Sequence, residues 1–371
     1  MKKYFNLNKK LGFGLMRLPG SGEAHPDLKK TAEMVDEFIA RGFEYFDTAH
    51  GYHDGMSEVA VGKCISARYP REKFVLTDKL TKEYFKTTAD IRPFFENQLK
   101  TCGVEYFDFY LMHAQNEGVF NYFKERKAYE EALRFKREGK ILHFGISFHD
   151  KASVLDGILT EYPEIEVVQI QYNYLDYDDA AIESRLCLET CEKHGKPVIV
   201  MEPLKGGSLV RLTDDARAVA KAAGVRCADL AIRFAASPDS VMMVLSGMST
   251  IEQLRENTAS MSEFKPLSEE ELAVTKKIAA IIRAKNMIAC TACRYCVAGC
   301  PKNIAIPDVF ACYNARKHFN DWNSRFYYKD ILTAKSGKAS DCVKCGKCEA
   351  ICPQKLPIRS YLEAVVREFG K

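Results

Sequence analysis

Short apolar runs and amphipathic stretches alternate along roughly the first 265 residues of the chain. Eight runs are rich in β-branched and aromatic residues and predict strands at residues 11–18, 43–47, 74–79, 107–113, 141–147, 167–171, 197–202 and 241–246. Between them, apolar residues recur at helical spacing in stretches that include residues 27–41, 88–101, 122–138, 178–194 and 250–261. Repeated strand–helix units imply parallel pairing, so the pattern predicts a (β/α)8 barrel, with a doubly wound open sheet as the rival.

The predicted strands end on polar or ionisable side chains. The residues at or near their C-terminal ends are Asp47, Lys79, His113, Ser147, Gln169 and Glu202. A purely structural barrel does not need ionisable groups at these positions, although one such residue alone would be weak evidence. Because barrel enzymes build their sites at this end of the strands, the set predicts an active site.

Several of these segments resemble the aldo-keto reductase family. The sequence DTAHGY from Asp47 to Tyr52, followed by S-E and V-G-K, is similar to the family signature D-T-A-x-x-Y…S-E…G-K. The strands ending in T-D-K at Lys79 and D-F-Y-L-M-H at His113, and the segment G-K-I-L-H-F-G-I-S at Ser147, are similar to family segments. The resemblance covers residues 5 to about 265. It implies an oxidoreductase that reduces a carbonyl, or oxidises an alcohol, with NAD(P)H, and whose catalytic residues are Asp47, Tyr52, Lys79 and His113.

These four residues suit carbonyl reduction, which needs a hydride on carbon and a proton on oxygen. Tyr52 can supply the proton, but the pKa of a free tyrosine, about 10, is too high for efficient transfer near pH 7. We expect Lys79 to lower this pKa by stabilising the phenolate, and Asp47 to keep Lys79 charged and oriented. His113 is expected to donate to the substrate oxygen or to share a proton with Tyr52. The alternative for Tyr52 alone is a packing role in a loop.

The resemblance also implies a nicotinamide site. Ser147 and Gln169 would hold the carboxamide, and Met201 stands where the family often stacks an aromatic ring. The further implied contacts are Pro203, Leu204, Gly206, Ser246, Gly247 and Met248 around the diphosphate, and Gln253 and Asn257 facing the adenosine. Phe148 departs from the usual Asn, and Gly247 and Gln253 replace the Lys and Arg of many NADPH-specific members. Without those cations a 2′-phosphate loses its charge-assisted partners, so we expect weak discrimination against NADH or a preference for it.

The cysteines form a second group of candidate functional residues, since nine of the chain's 14 lie after residue 289. Two runs of C-x2-C-x2-C-x3-C-P begin at Cys290 and Cys342, a spacing typical of two 4Fe-4S clusters in which the fourth cysteine ligates the other cluster. The expected ligand sets are Cys290, Cys293 and Cys296 with Cys352, and Cys342, Cys345 and Cys348 with Cys300. Zinc, the alternative, prefers pairs of C-x2–4-C knuckles. The segment resembles the dicluster ferredoxins, apart from a long insertion at residues 302–341 in which Cys312 is expected to be a buried thiol.

Composition, net charge and the length of the apolar stretches narrow the class of protein to which the chain can belong. The 371 residues are 47% hydrophobic and 28% charged, as in soluble globular proteins, and a net charge of +4 gives no argument for a nucleic-acid partner. No apolar stretch approaches a membrane span of roughly 18 residues, and the first residues lack the apolar run of a signal peptide, so we expect a cytoplasmic protein. We predict a barrel at residues 1–265, a linker helix at 266–285 with Ser268 as its N-cap, and a ferredoxin-like domain at 286–371.

The strand-end residues and the two cysteine runs together leave several functions open. The favoured one is a nicotinamide-dependent reductase of a small carbonyl or alcohol, with clusters that pass electrons or dock a redox partner protein. The alternatives are an ordinary aldo-keto reductase with structural clusters, and a flavin- and cluster-coupled oxidoreductase or an electron carrier that uses no nicotinamide. Because nicotinamide moves two electrons and a cluster moves one, a flavin is a further candidate cofactor. Lys335, Lys338, Lys344 and Lys347, around the second cysteine run, either dock an acidic carrier or form an ordinary solvated surface.

Overall fold

Eight parallel strands follow one another around a closed barrel, and the first pairs with both the second and the eighth. The structure, a computed structural model, describes residues 4–20, 25–285 and 287–370. The strands are β1 Leu11–Gly14, β2 Tyr45–Asp47, β3 Val75–Leu80, β4 Phe107–Gln115, β5 Ile141–Phe148, β6 Val167–Gln171, β7 Val198–Met201 and β8 Val241–Gly247. The (β/α)8 architecture expected from the alternating pattern is therefore confirmed.

Separate apolar cores lie inside the barrel and between the barrel and its helices. Inside, Tyr45 and Phe109 pack in one cluster. A Cβ atom at Gly12 would lie 2.8 Å from Tyr45, and one at Gly145 would lie 2.5 Å from Val167, so the interior has no room for a side chain at either glycine. Strands with apolar contacts on both faces need continuous apolar sequences, which explains why these segments do not alternate with polar residues.

Helices surround the barrel and continue into the C-terminal region. Their bounds are α1 Leu28–Ala40, α2 Met56–Val61, α3 Thr88–Cys102, α4 Glu117–Glu125, α5 Ala128–Arg137, α6 Ala152–Glu161, α7 Ser184–Lys193, α8 Asp214–Ala222, α9 Cys227–Ala236, α10 Ile251–Ser262, α11 Glu269–Ala284, α12 Tyr295–Ala298, α13 Ile306–Phe319, α14 Asn323–Phe326, α15 Thr333–Lys335, α16 Lys347–Ile351 and α17 Ile358–Phe369. In the described part of the chain, no helix is long and apolar enough to cross a membrane.

Three predicted elements differ from the structure by more than two residues, each for a local reason. The first strand ends at Gly14, because the next three residues form a 3-10 turn. The stretch at 122–138 is interrupted at Lys127, whose φ of 54° separates α4 from α5. The stretch at 178–194 becomes helical only at α7, because the Asp179 side chain accepts from the backbone of Ala181 and Ile182 in a preceding turn.

Helix α11, expected as a linker, packs on the barrel. It begins with a capping box between Ser268 and Glu271, as the sequence predicts. Its Ile278, Ala279 and Ile282 belong to the main core of the barrel. The helix is therefore held in place as it leads the chain towards the first cysteine run.

The C-terminal region has an apolar core of its own. Helices α13 and α17 contribute Phe310, Leu362 and Val365, and the thiol of Cys312 is buried there, as expected. Ala181, from the loop after β6, joins the same core. The C-terminal region and the barrel therefore share packed apolar surface.

Ion pairs fix the insertion at residues 302–341 over the end of the barrel at which the strands finish. Lys335 pairs with Asp150, after β5, and with Glu117, after β4, at 3.2 Å. Lys151 pairs with the buried Asp308 at 2.9 Å. Lys335 therefore holds the insertion against the barrel, and neither of the two roles considered for it from the sequence describes this contact.

Candidate active site and cluster cavities

Asp47 and Lys79 stand at the ends of adjacent strands β2 and β3 and form a buried ion pair. Lys79 Nζ donates to Asp47 Oδ1 at 2.6 Å and to the carbonyl oxygen of Thr48 at 2.7 Å. Gln169, on β6, donates to the second carboxylate oxygen of Asp47 at 3.2 Å. Burial opposes the charge of Lys79, but the Asp47 carboxylate and the Tyr52 phenol outweigh it and raise the pKa of Lys79. The lysine is therefore an ammonium group at neutral pH.

Tyr52 is brought to this pair by a distorted turn after β2. The turn spans Tyr52–Gly55, and His53 and Asp54 within it have positive φ values of 53° and 51°. Lys79 Nζ donates to Tyr52 Oη at 3.3 Å. The Tyr52 ring meets the ring of His113 edge to face, with centroids 6.1 Å apart. The structure therefore brings the four candidate catalytic residues together at one end of the barrel.

The electrostatics at Tyr52 differ from the expectation. Burial raises the pKa of Tyr52, and the Asp47 carboxylate adds to the rise. The Lys79 ammonium acts in the expected direction and lowers this pKa, but it only partly offsets the burial. The pKa of Tyr52 is therefore above its ordinary value, although Lys79 lowers it as expected, and Tyr52 keeps its proton at neutral pH.

His113 is aimed by a bulge in β4. The pairing of β4 with β5 shifts register between Met112 and Gln115, and Ala114 has a φ of 51°. Nδ1 of His113 hydrogen-bonds to the Thr81 hydroxyl at 2.7 Å. Burial, with the Lys79 charge nearby, holds the pKa of His113 well below its usual range, so the imidazole is neutral. Bulges of this kind recur beside active sites, where they redirect a side chain.

The expected nicotinamide contacts lie on β5 to β8 and in the loops that follow. Ser147 is buried, and its hydroxyl oxygen accepts from the backbone of Ala114 at 2.8 Å, so within the described residues its own proton has no acceptor. Asn257 donates to the Ser246 hydroxyl at 3.0 Å, which ties α10 to β8. The remaining expected contacts are on or just after β7 and β8, or on α10: Met201, Pro203, Leu204, Gly206, Gly247, Met248 and Gln253.

Arg17 is a cation at this site that the sequence analysis missed. The turn after β1 carries it between the two glycine loops, because a Cβ at Gly247 would lie 3.4 Å from the Cβ of Arg17 and one at Gly206 would lie 3.6 Å from its Nη2. Its Nη2 also lies 3.4 Å from Glu202 Oε1. Arg17 therefore places a positive charge between the loops of Gly206 and Gly247.

Two cavities in the C-terminal region divide the eight motif cysteines into the crossed sets expected from their spacing. The inner cavity, of about 340 Å³, is lined by Cys290, Cys293, Cys296 and Cys352. The outer cavity, of about 330 Å³, is lined by Cys300, Cys342, Cys345 and Cys348. Ile306 lines both cavities, so they are direct neighbours.

The two cavities differ in their relation to the barrel. Cys290 also lines a cleft that Leu175, Asp176 and Lys205 border from the loops after β6 and β7. The lining of the outer cavity contains residues after position 299 only. The inner cavity is therefore the one on the barrel side.

Aromatic residues of the insertion pack on the residue that directly follows β5. His149, which directly follows β5, packs edge to face on Phe326 at 5.6 Å between centroids and contacts Tyr327 at 6.3 Å. Burial lowers the pKa of His149 to about 4, and its Nδ1 is buried with no partner among the described residues.

A comparison with protein families matches residues 10–280 to the aldo/keto reductase family. The chain belongs to the aldo/keto reductase family. Residues 289–356 match the 4Fe-4S dicluster domain. The protein is therefore an oxidoreductase that combines an aldo/keto reductase barrel with an iron–sulfur domain, as the resemblances implied.

Individual relatives align with the barrel. The chain is 27% identical to an NADH-specific methylglyoxal reductase of Escherichia coli K12 over 301 residues, which cover 68% of this chain and 90% of that enzyme. It is 24% identical to the L-galactose dehydrogenase of Arabidopsis thaliana, over 68% of this chain and 84% of that enzyme. Among solved structures, an aldo-keto reductase of Bacillus halodurans in its holo form is 25% identical and superposes with a TM-score of 0.57 over 72% of this chain and 91% of that one. A Klebsiella pneumoniae aldo-keto reductase in complex with NADPH has a TM-score of 0.59 at 23% identity, over 73% and 90%, and shares the fold.

Proposed function

We propose that this aldo/keto reductase uses NAD(P)H to reduce a small carbonyl substrate, with Tyr52 as the proton donor. The observation that carries the proposal is the Lys79 ammonium, which joins the Asp47 carboxylate to the Tyr52 phenol within one buried group. A bare tyrosine is a poor acid near pH 7, and an adjacent fixed cation stabilises the phenolate that remains after the proton has left. Asp47 holds that cation in place and maintains its charge.

His113 is proposed to orient the substrate oxygen. Its neutral imidazole has one N–H, and the Thr81 hydroxyl occupies Nδ1. If Thr81 donates to Nδ1, the proton resides on Nε2, which is free to donate to the carbonyl oxygen beside Tyr52. Two donors on one oxygen stabilise the charge that develops there during hydride addition.

The nicotinamide cofactor supplies the hydride when it is bound. The buried Ser147 hydroxyl, with a proton to donate, and the amide of Gln169 suit its carboxamide, while Arg17, Gly206 and Gly247 suit its diphosphate. Gly247 and Gln253 provide no cation for a 2′-phosphate, which supports NADH as the preferred cofactor. The NADH-specific relative from Escherichia coli agrees with this choice.

We further propose that the C-terminal domain holds two 4Fe-4S clusters, one in each cavity. When bound, the clusters provide one-electron redox capacity. The support is the division of the cysteines, because each cavity takes three from one run and the fourth from the other. Among the described residues no three Cys, His, Asp or Glu side chains converge tightly enough to hold a single metal ion, which argues against zinc.

Replacing Tyr52 with Phe tests the catalytic proposal. The variant should lower kcat/KM for NADH-dependent reduction by about 10²- to 10⁴-fold, because it removes the general acid, while NADH affinity should stay within about twofold. Methylglyoxal, the substrate class of the Escherichia coli relative, heads a panel of small aldehydes and ketones. The matched control is Tyr69→Phe, which removes a hydroxyl bonded to Asp36, away from the site. A Tyr52→Phe enzyme as active as this control would refute the proposal, and a flavin spectrum in the anaerobically purified protein would add that cofactor.

A further inference from the structure

Charge is distributed unevenly between the two parts of the chain. Residues 286–371 contain 14 Lys and Arg and seven Asp and Glu, a formal net charge of +7. Residues 1–285 contain 40 Lys and Arg and 43 Asp and Glu, a net charge of −3. An oxidised 4Fe-4S cluster with its four thiolates carries about −2, so two of them leave the C-terminal region with about +3. The iron–sulfur region is thus basic even after the clusters are counted.

Part of this positive charge lies directly around the outer cavity. Lys302, Lys347 and Arg359 line it together with its four cysteines. Arg359 pairs with Glu349 at 2.7 Å, whereas Lys302 and Lys347 form no ion pair among the described residues. Lys344 adjoins the same rim and pairs with Glu363 at 2.7 Å. Two exposed lysines beside the cavity are therefore free to meet an external negative charge.

Apolar surface is exposed within the same rim. Val343 lines the outer cavity and is 54% exposed, and the neighbouring ligand-set residue Cys345 is also exposed. An apolar centre with charges around it is the usual make-up of a protein docking site, in which charge steers the encounter and apolar contact completes it. We define the outer face as Lys302, Val343, Lys344, Lys347 and Arg359.

We propose that the outer face is the docking site for a small acidic protein that carries one electron at a time. The occupant follows from charge complementarity, because the two unpaired lysines attract a carboxylate-rich surface. No barrel residue that the structure describes lines the outer cavity, whereas Cys290 of the inner cavity also lines a cleft bordered by barrel loops. Each encounter exchanges one electron, so that the carrier loses one as this domain gains one, or the reverse. This inference rests on the proposed presence of the clusters.

The test uses the full-length protein, reconstituted under anaerobic conditions, and an acidic flavodoxin as the probe. Binding is measured by biolayer interferometry at about 50 and 200 mM salt, two ionic strengths that separate screened from unscreened charge. The variant Lys302→Glu/Lys347→Glu should raise the Kd about tenfold or more and should weaken its dependence on salt. Val343→Ser, which leaves charge unchanged, should raise the Kd severalfold.

The matched control is Lys29→Glu/Lys30→Glu on α1, which makes the same change in net charge at two exposed barrel residues. It should leave the Kd within about twofold, and basic cytochrome c should not bind the wild type. Equal weakening by both double variants, no effect of Lys302→Glu/Lys347→Glu, or no binding of flavodoxin by the wild type would overturn the docking site. Iron content and visible absorbance are measured first, because their absence would refute the clusters themselves and not the docking face.

Discussion

Removing one partner of the buried Lys79–Asp47 pair should destabilise the barrel far more than removing a partner of an exposed pair. Lys79→Met leaves the Asp47 carboxylate buried, at 3% exposure, with Gln169 as its remaining hydrogen-bond donor. Breaking a buried pair in this way typically costs about 3–5 kcal/mol, since an uncompensated charge stays behind. For a domain of this size each kcal/mol lowers the Tm by about 2 °C, so the expected decrease is about 6–10 °C.

The assay is anaerobic differential scanning calorimetry of the cluster-containing protein. The matched control is Lys193→Met, because Lys193 pairs with Asp156 at 2.8 Å but both side chains are exposed. That exposed pair should contribute less than about 1 kcal/mol to the free energy of unfolding. The Tm of the Lys193→Met variant should therefore fall by less than about 2 °C.

A double variant separates the loss of a charge from the loss of packing. Asp47→Asn in the Lys79→Met background removes the uncompensated carboxylate and should recover at least half of the lost stability. If Lys79→Met melts within 2 °C of the wild type, or if the double variant is less stable than the single one, the buried pair does not carry the charge balance described here.

Three further changes have defined outcomes. Arg17→Gln should raise the Kd for NADH about tenfold in an anaerobic fluorescence titration, since a charge-assisted contact to the diphosphate is lost, and Arg134→Gln on α5 should not; an unchanged Kd would exclude Arg17 from the cofactor site. Cys352→Ser should lower the iron content from about eight to about four per chain by emptying the inner cavity alone, whereas Cys312→Ser should keep all of it; loss of iron from both variants would contradict the assigned ligand sets. His149 has a pKa of about 4 in the folded protein, below the value of about 6.5 for a free histidine, so lowering the pH through that interval favours unfolding. Between pH 7.5 and 5.5 the wild type should therefore lose about 1 kcal/mol more of its free energy of unfolding than His149→Gln does. Equal slopes of Tm against pH for the two proteins would show that folding does not lower the pKa of His149.

The barrel could be predicted because its strands are buried on both faces and therefore appear as separate apolar runs. The position of each run also indicates which residues lie near its C-terminal end, so the sequence places Asp47, Lys79 and Ser147 at that end of the barrel. The crossed cysteine sets followed from spacing for a similar reason, because three thiolates two residues apart cannot close four positions of one cluster.

Other features depend on contacts that no local pattern contains. Arg17 reaches the loops of Gly206 and Gly247 only because β1 ends at Gly14 and the next residues turn. The insertion covers the barrel through Lys335 and Asp150, which are 185 residues apart in sequence. Neither residue shows periodicity or a motif that would indicate this partner, so the position of the insertion against the barrel could not be located from the sequence.

The pKa of Tyr52 shows how burial changes a mechanism that was inferred from residue types alone. The sequence places a cation beside a tyrosine, which by itself favours the phenolate. Burial works against this and prevails, so the resting side chain is a phenol, and the neighbouring His113 is neutral. A protonated tyrosine beside a fixed ammonium is prepared to give up a proton as negative charge develops on a substrate oxygen. The same site must lose that proton before it can accept one from an alcohol. Under the proposed role of Tyr52, the electrostatics would favour carbonyl reduction at neutral pH and alcohol oxidation at higher pH, where the Lys79 ammonium stabilises the phenolate that forms.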